Sequence, residues 1–293
     1  MKHAILGVGA IGGLMATAMG ASGEEVLLMV RPEKLAGYPR QLRLDQPNGT
    51  IFSESHPIAQ LSQAVDVLWI ATKTYHLQTA LDSVQTVPPV IVPLLNGIDH
   101  IAVLRARFGH DCVVPATIAV GADRLADGHF VQHNEVRLNL MAAAEPTLGT
   151  LLTRLHQDHD FGGRFFDNEA TLLWNKLCFL APFALVTSAS GKNKGEIFAD
   201  ATWKARLYSA IDETCAVARS CGAEIEAAKV KSGLQPLPDT MRSSMAKDLL
   251  AGRQLELDAI AGPILRGGEH GTAVPVTREL VDAIRGKLYQ HRT

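Results

Sequence analysis

Residues 4–12 read Ala4-Ile5-Leu6-Gly7-Val8-Gly9-Ala10-Ile11-Gly12. Three apolar residues run into a glycine, and 13–20 is rich in small and helix-forming residues, so a strand, a tight turn and a helix follow one another. The glycines have the G-x-G-x-x-G spacing, which by itself occurs often by chance. Placed directly after a strand and opening a helix, it reads as a dinucleotide-binding turn, with a plain strand-to-helix turn as the alternative. In that reading Gly7 makes the turn, Gly9 lets a pyrophosphate approach the backbone and Gly12 permits close helix-to-strand packing. Val8, Ala10 and Ile11 complete the turn, and the helix start adds unpaired N–H groups and a positive dipole end for phosphate.

Outward from this turn, 25–30, 65–71 and 90–95 read as further buried strands, with helical patterning at 79–84 and 100–108. Strands alternating with helices predict a parallel sheet wound on both faces. The segments 113–120, 128–132 and 136–141 add strands, the latter two with a period close to two, so the sheet is expected to change character there. Helical period then dominates at 147–158, 168–188, 202–221, 238–250, 256–270 and 277–289. The expectation is an α/β chain: an N-terminal Rossmann-type dinucleotide-binding domain over 1–163, then an all-α domain over 164–293. Gly162-Gly163 marks the boundary.

Composition bounds the function. The chain has 293 residues, 47% hydrophobic and 20% charged, enough for two domains with substantial cores. Its formal charge is −2 and only 5% of residues are aromatic, which argues against nucleic acid as a partner. The four cysteines, Cys112, Cys178, Cys215 and Cys221, form no C-x-x-C pair, so reduced cytoplasmic thiols and no metal centre are expected. The apolar stretch 172–186 is interrupted by Asn175, Lys176 and Pro182, which favours a buried helix over a membrane span. The start reaches Gly7 too soon for a signal peptide.

After the second strand, where an NAD-binding domain carries an acidic residue, the sequence reads Met29-Val30-Arg31. A guanidinium can clamp a 2′-phosphate bidentately, so NADP (as NADPH) is the better fit, with an ordinary surface arginine as the alternative. Lys176 stands mid-helix among Leu172, Leu173, Leu177, Phe179 and Leu180. Burial there lowers a lysine pKa toward values useful for proton transfer. From the pattern alone, a lysine that carries its head to the surface past an apolar stem fits as well.

Together with Gly7 to Gly12 and Arg31, the residues Lys73 of Ala71-Thr72-Lys73-Thr74, Asn96-Gly97, Trp174-Asn175-Lys176 and the run Ser243-Ser244-Met245, Asp248, Arg253, Glu256, Asp258 and Gly262 resemble the ketopantoate reductase (2-dehydropantoate 2-reductase) family nearly end to end. The resemblance implies NADPH-dependent reduction of a small-molecule 2-oxo acid, ketopantoate, to pantoate for pantothenate and coenzyme A biosynthesis. It makes Lys176 the general acid and Glu256 a hydrogen-bond acceptor for the substrate hydroxyl, close to the lysine and the cofactor. Ser244 would contact the substrate carboxylate, Asn96 would sit between nicotinamide and substrate, and Lys73 would lie on the cofactor side. Read without the resemblance, Glu256 is a carboxylate on an exposed helical face, Ser244 a helix-start serine, Asn96 a turn residue and Lys73 a surface lysine.

The departures cluster. Asparagines four and eight residues after the lysine in the family's pattern are here Leu180 and Ala184, and a third is Lys194, with Asn193 beside it as a substitute. An apolar wall of Leu180 and Ala184 favours a substrate without a second hydroxyl there. Another branched or apolar 2-oxo acid is therefore the alternative substrate, and a non-catalytic NADP-binding regulator the alternative class, which retention of Lys176 and Glu256 argues against. A homodimer stays open, because the sequence does not show oligomeric state.

Overall fold

In the computed structural model, which describes residues 1–290, the chain forms two compact units. Unit 1 comprises Met1–Leu95 and His100–Asp167; unit 2 comprises Asn96–Asp99 and the chain from Asn168 onward. Residues 291–293 of the expected second domain lie outside the described residues.

Unit 1 begins with β1 (Lys2–Leu6), α1 (Ala10–Ala21), β2 (Glu25–Met29), the short α2 (Pro32–Leu35), β3 (Gln41–Gln46), β4 (Gly49–Glu54) and β5 (His56–Ile58). It continues through β6 (Val67–Ile70), α3 (Leu77–Leu81), β7 (Val90–Pro93), α4 (His100–Phe108), β8 (Ala116–Ala119), β9 (Ala122–Ala126) and β10 (His129–Gln132), and ends with β11 (Val136–Met141), α5 (Glu145–Asp158), β12 (Phe161–Gly162) and β13 (Phe165–Phe166). The main sheet has the order β5-β2-β1-β6-β7, parallel throughout, with β1 central. Its strands are nearly continuous apolar runs because both faces are covered: Ile5, Val67 and Trp69 enter the core on one side, Ala4, Leu68 and Ile70 that on the other. This is the doubly wound Rossmann-like arrangement, whose ligands bind at the carboxyl ends of the strands.

A second sheet, β4-β3-β10-β9, was not foreseen. The hairpin β3–β4 pairs in register from Gln41↔Glu54 to Gln46↔Gly49 around Pro47-Asn48, and alternation of buried Leu42 and Leu44 with exposed neighbours is the signal that marks it. Helix α1 packs against this sheet. A Cβ on Gly13 would overlap the buried Phe130 ring of β10, so this glycine sets how closely helix and sheet approach. The change of sheet character expected past residue 113 is present: β11 pairs antiparallel with β8 and parallel with β12 and β13.

Unit 2 contains α6 (Glu169–Ser190), α7 (Lys194–Ala199), α8 (Ala201–Ser220), α9 (Ala227–Gly233), α10 (Ser244–Leu250), α11 (Leu257–Glu269) and α12 (Pro275–Gln290). Helix α6 is its centre: 22 residues, capped by Asn168 and ended by Gly191 at φ +75°, in contact with α8, α10, α11 and α12. It has the length and composition to cross a membrane, and most of it is buried inside unit 2 as a core helix. The helix expected over 238–250 is shorter. Asp239 and Met241 give their carbonyls to the N–H groups of Gly195 and Lys194, and Ser243 Oγ accepts from Ala246 N–H, which starts α10 only at Ser244.

Candidate active site

The turn after β1 shows a steric demand for glycine at Gly7 and Gly12. Gly7 has φ +96°, and a Cβ there would stand 2.8 Å from the Thr72 backbone nitrogen. A Cβ on Gly12 would overlap the Gly7 carbonyl oxygen, whereas one on Gly9 would meet nothing within 4 Å. The open side of the turn is therefore at Gly9, which immediately precedes α1. Intrahelical bonding begins with Gly13 N–H to the Gly9 carbonyl, and the first turn holds no acidic side chain. Open space at a helix start whose first turn holds no acidic side chain fits a dinucleotide pyrophosphate. Arg31 stands exposed two residues past Met29, the end of β2, with Pro32 opening α2 behind it, and Lys73 is half-buried on the loop after β6.

Unit 2 assembles the second group. Lys176, on α6, donates from Nζ to Asn96 Oδ1 at 3.0 Å, and Asn96 Nδ2 donates to Glu256 Oε2 at 3.2 Å. One amide thus bridges an ammonium and a carboxylate 80 and 160 residues away in the chain. Burial pushes the Lys176 pKa from its usual 10.5 down to about 8, with the Glu256 carboxylate opposing part of the fall. Glu256 is 5% exposed and sits immediately before α11, so the exposed-face reading of this residue does not hold.

The remaining expected site residues fall elsewhere. Leu180, one turn along α6 from Lys176, keeps some surface and packs against the helical core. Ala184 is corrected: at 0% exposure it is sealed in that core and offers no surface to a ligand. Asn193 Oδ1 caps α7 by accepting from Glu196 N–H at 2.9 Å while Glu196 bonds back to the Asn193 N–H, a local role for this side-chain oxygen. Ser244 is exposed as the first residue of α10, but the cap is Ser243, which also bonds Thr187 Oγ1 at 2.7 Å. Lys194 is buried, donates to Asp239 Oδ1 and the Gln235 carbonyl, and lies over the Phe198 ring. Sequence reading passed over the Asp99–Arg266 pair at 2.5 Å. Its only signal in the sequence is that Asp99 follows the Asn96-Gly97 pair by two residues.

A dinucleotide turn on a parallel sheet and a buried lysine bridged to a glutamate on a helical unit define a two-unit oxidoreductase. The ketopantoate reductase PanE/ApbA model matches residues 3–145 and its C-terminal counterpart 169–288, so the chain belongs to the ketopantoate reductase family. It is 28% identical to a 2-dehydropantoate 2-reductase of Caulobacter vibrioides, over 95% of this chain and 96% of that one. The same fold occurs in a D-mandelate dehydrogenase solved with NADH and anilino(oxo)acetate, with a TM-score of 0.87 and 21% identity over the full length of both chains. It occurs as well in a dimeric ketopantoate reductase from Staphylococcus aureus, with a TM-score of 0.81 and 18% identity over 99% of each chain.

Proposed function

We propose that this chain reduces 2-dehydropantoate (ketopantoate) to pantoate with NADPH, a step toward pantothenate and coenzyme A. The observation that carries this reading is the Lys176–Asn96–Glu256 bridge, with Lys176 brought near pH 8 by burial. A nicotinamide dinucleotide, held by its pyrophosphate at the Gly7 to Gly12 turn, would supply the hydride for substrate C2. Lys176 is the proton source for the carbonyl oxygen: an ammonium with a pKa near the working pH is still charged at pH 7 yet gives up its proton readily. Asn96 Oδ1 fixes the direction of one ammonium N–H, and its amide nitrogen ties Glu256 in place to accept from the hydroxyl that forms. Hydride and proton together convert the ketone to the secondary alcohol.

Arg31 supports NADPH over NADH, because an exposed guanidinium at the end of β2 can pair with the 2′-phosphate. Arg31→Ala then raises the KM for NADPH about 10- to 150-fold more than that for NADH, the worth of a charge-assisted phosphate contact. Equal effects on the two cofactors remove this assignment.

Leu180 favours a second substrate reading. An apolar side chain one turn from the proton donor favours a 2-oxo acid with a branched or apolar tail, such as 2-oxoisovalerate. NADPH oxidation measured side by side with ketopantoate and 2-oxoisovalerate separates the two; no oxidation with any 2-oxo acid defeats both. Two chains per assembly, as in the staphylococcal relative, belongs to the same proposal.

A further inference from the structure

We infer that Asn96–Asp99 is a clip, and that Asp99 and Arg266 are positioning residues that hold the Asn96 amide between Lys176 and Glu256. Three contacts fasten these four residues, all to the helices of unit 2, to which they belong. Gly97 adopts φ +79°, and a Cβ there would overlap the carbonyl oxygen of Ala259 in α11, so the backbone lies directly against that helix. Ile98 packs against the helical core. Asp99 Oδ1 accepts from Arg266 Nη2 at 2.5 Å, about two turns farther along α11 than Ala259. Gly262, between them, leaves room for the guanidinium: a Cβ on it would stand 3.0 Å from Arg266 Nη1.

The chemistry follows from what shares this helix. Glu256 immediately precedes α11, so one rigid element carries the catalytic carboxylate, the backbone seat of Gly97 and the cation that anchors Asp99. Asn96 begins the clip and makes both of its side-chain bonds to the reacting pair. The Asp99–Arg266 pair is about half exposed on each side, which makes it a weak contributor to overall stability. A small displacement of the amide it steadies is expensive, since misplacing a reacting group by about 1 Å can cost on the order of 10²-fold in rate. The pair thus acts on Lys176 through Asn96, and its removal affects proton donation more than folding.

This inference rests on the reductase reading for its kinetic arm only. The test uses the full chain as wild type, Asp99→Arg, Arg266→Asp and the charge-exchanged double variant, with Asp99→Asn as the mildest change. In the first arm kcat for 2-oxo acid reduction falls about tenfold in each single charge reversal with the KM for NADPH unchanged, and returns to within about threefold of wild type in the double variant. In the second arm the proteins are treated with acetic anhydride at pH 7 and acetylation of Lys176 is followed by mass spectrometry, with exposed Lys229 as the internal reference. Donation to Asn96 Oδ1 favours the charged form of Lys176, so loosening the amide raises the fraction of reactive free amine at pH 7. Acetylation of Lys176 therefore speeds up about fivefold in the single variants and returns to the wild-type rate in the double. If no 2-oxo acid is turned over, the reductase reading fails and the acetylation arm decides the clip alone. Lys176 acetylation equal in all five proteins overturns the inference, as does a double variant no better than its parents.

Discussion

Two buried basic groups set the two units apart. In unit 1, His3 is 0% exposed on β1, accepts from Trp69 Nε1 at 3.2 Å through Nδ1 and faces Glu24 across 3.5 Å. Glu24 pairs in turn with Arg154 at 2.7 Å and with the Met1 amine. Burial lowers the His3 pKa to about 4, against the pull of the Glu24 carboxylate. In unit 2, burial lowers Lys176 by a similar amount, to about 8, but its partner is a neutral amide and its side chain keeps some surface. A closed ring of charges and an aromatic N–H makes a fastener, whereas a charge left near neutrality beside open surface can move a proton. A lowered pKa becomes informative about function only when joined to access.

Substitutions at these two groups therefore have opposite consequences. Lys176→Ala lowers kcat by on the order of 10² to 10⁴ with the NADPH dissociation constant little changed, because general-acid help is lost while the nucleotide turn is untouched. Steady-state assay and cofactor titration read the two quantities. His3→Gln leaves kcat at pH 7 within about twofold, since the residue has no part in the proposed chemistry, and changes the stability profile instead.

The sign of that change follows from the pKa. Between pH 6.5 and about 4 the unfolded chain binds a proton that native His3 refuses, so stability present above pH 6.5 is lost as the pH falls through this window. The loss amounts to about 2 to 3 kcal/mol, and His3→Gln flattens that acid limb in urea titrations. Lys176 has the mirror behaviour. Below pH 8 the folded protein bears the cost of holding an ammonium in a buried place, and stability rises as the pH climbs from about 8 toward 10.5. Lys176→Met raises stability at pH 7 by about 2 kcal/mol and removes the alkaline rise. An unchanged urea midpoint in Lys176→Met shows that the ammonium is not held at a cost.

The smallest effect expected is on discrimination. With Ala184 sealed away, Leu180 alone carries the apolar-wall argument, and Leu180→Asn raises the ratio of ketopantoate to 2-oxoisovalerate efficiency by about tenfold. A wild-type ratio already above about 10⁴ shows that polar recognition comes from elsewhere and removes Leu180 from the account.

What was legible in the sequence had local causes. The Gly7 to Gly12 turn needs only its neighbours to be read, and the demands at Gly7 and Gly12 are visible in what a Cβ would meet. Continuous apolar runs marked the covered parallel strands, and 3.6 periodicity marked the long helices. The second sheet was missed because β3, β4 and β9 are half-solvated strands and the pairing that joins the two hairpins, as in Leu44↔Phe130, links positions far apart in the chain. At the site, Lys176 could be suspected from its apolar neighbours. The bridge through Asn96 could not, because it joins positions far apart in sequence. Caps and ligand contacts draw on the same small polar residues, and only the fold shows which oxygen is already used: Asn193 Oδ1 caps α7 and Ser243 Oγ caps α10, while Ser244 beside it is exposed.

The most direct measurement is the pH dependence of kcat for 2-oxo acid reduction between pH 6 and pH 10 under saturating NADPH. With Lys176 as the proton donor, kcat is level at low pH and falls about tenfold per pH unit above the lysine's pKa of about 8. A kcat that stays level through pH 10, or the same alkaline fall in Lys176→Ala, contradicts the assignment of the proton to Lys176.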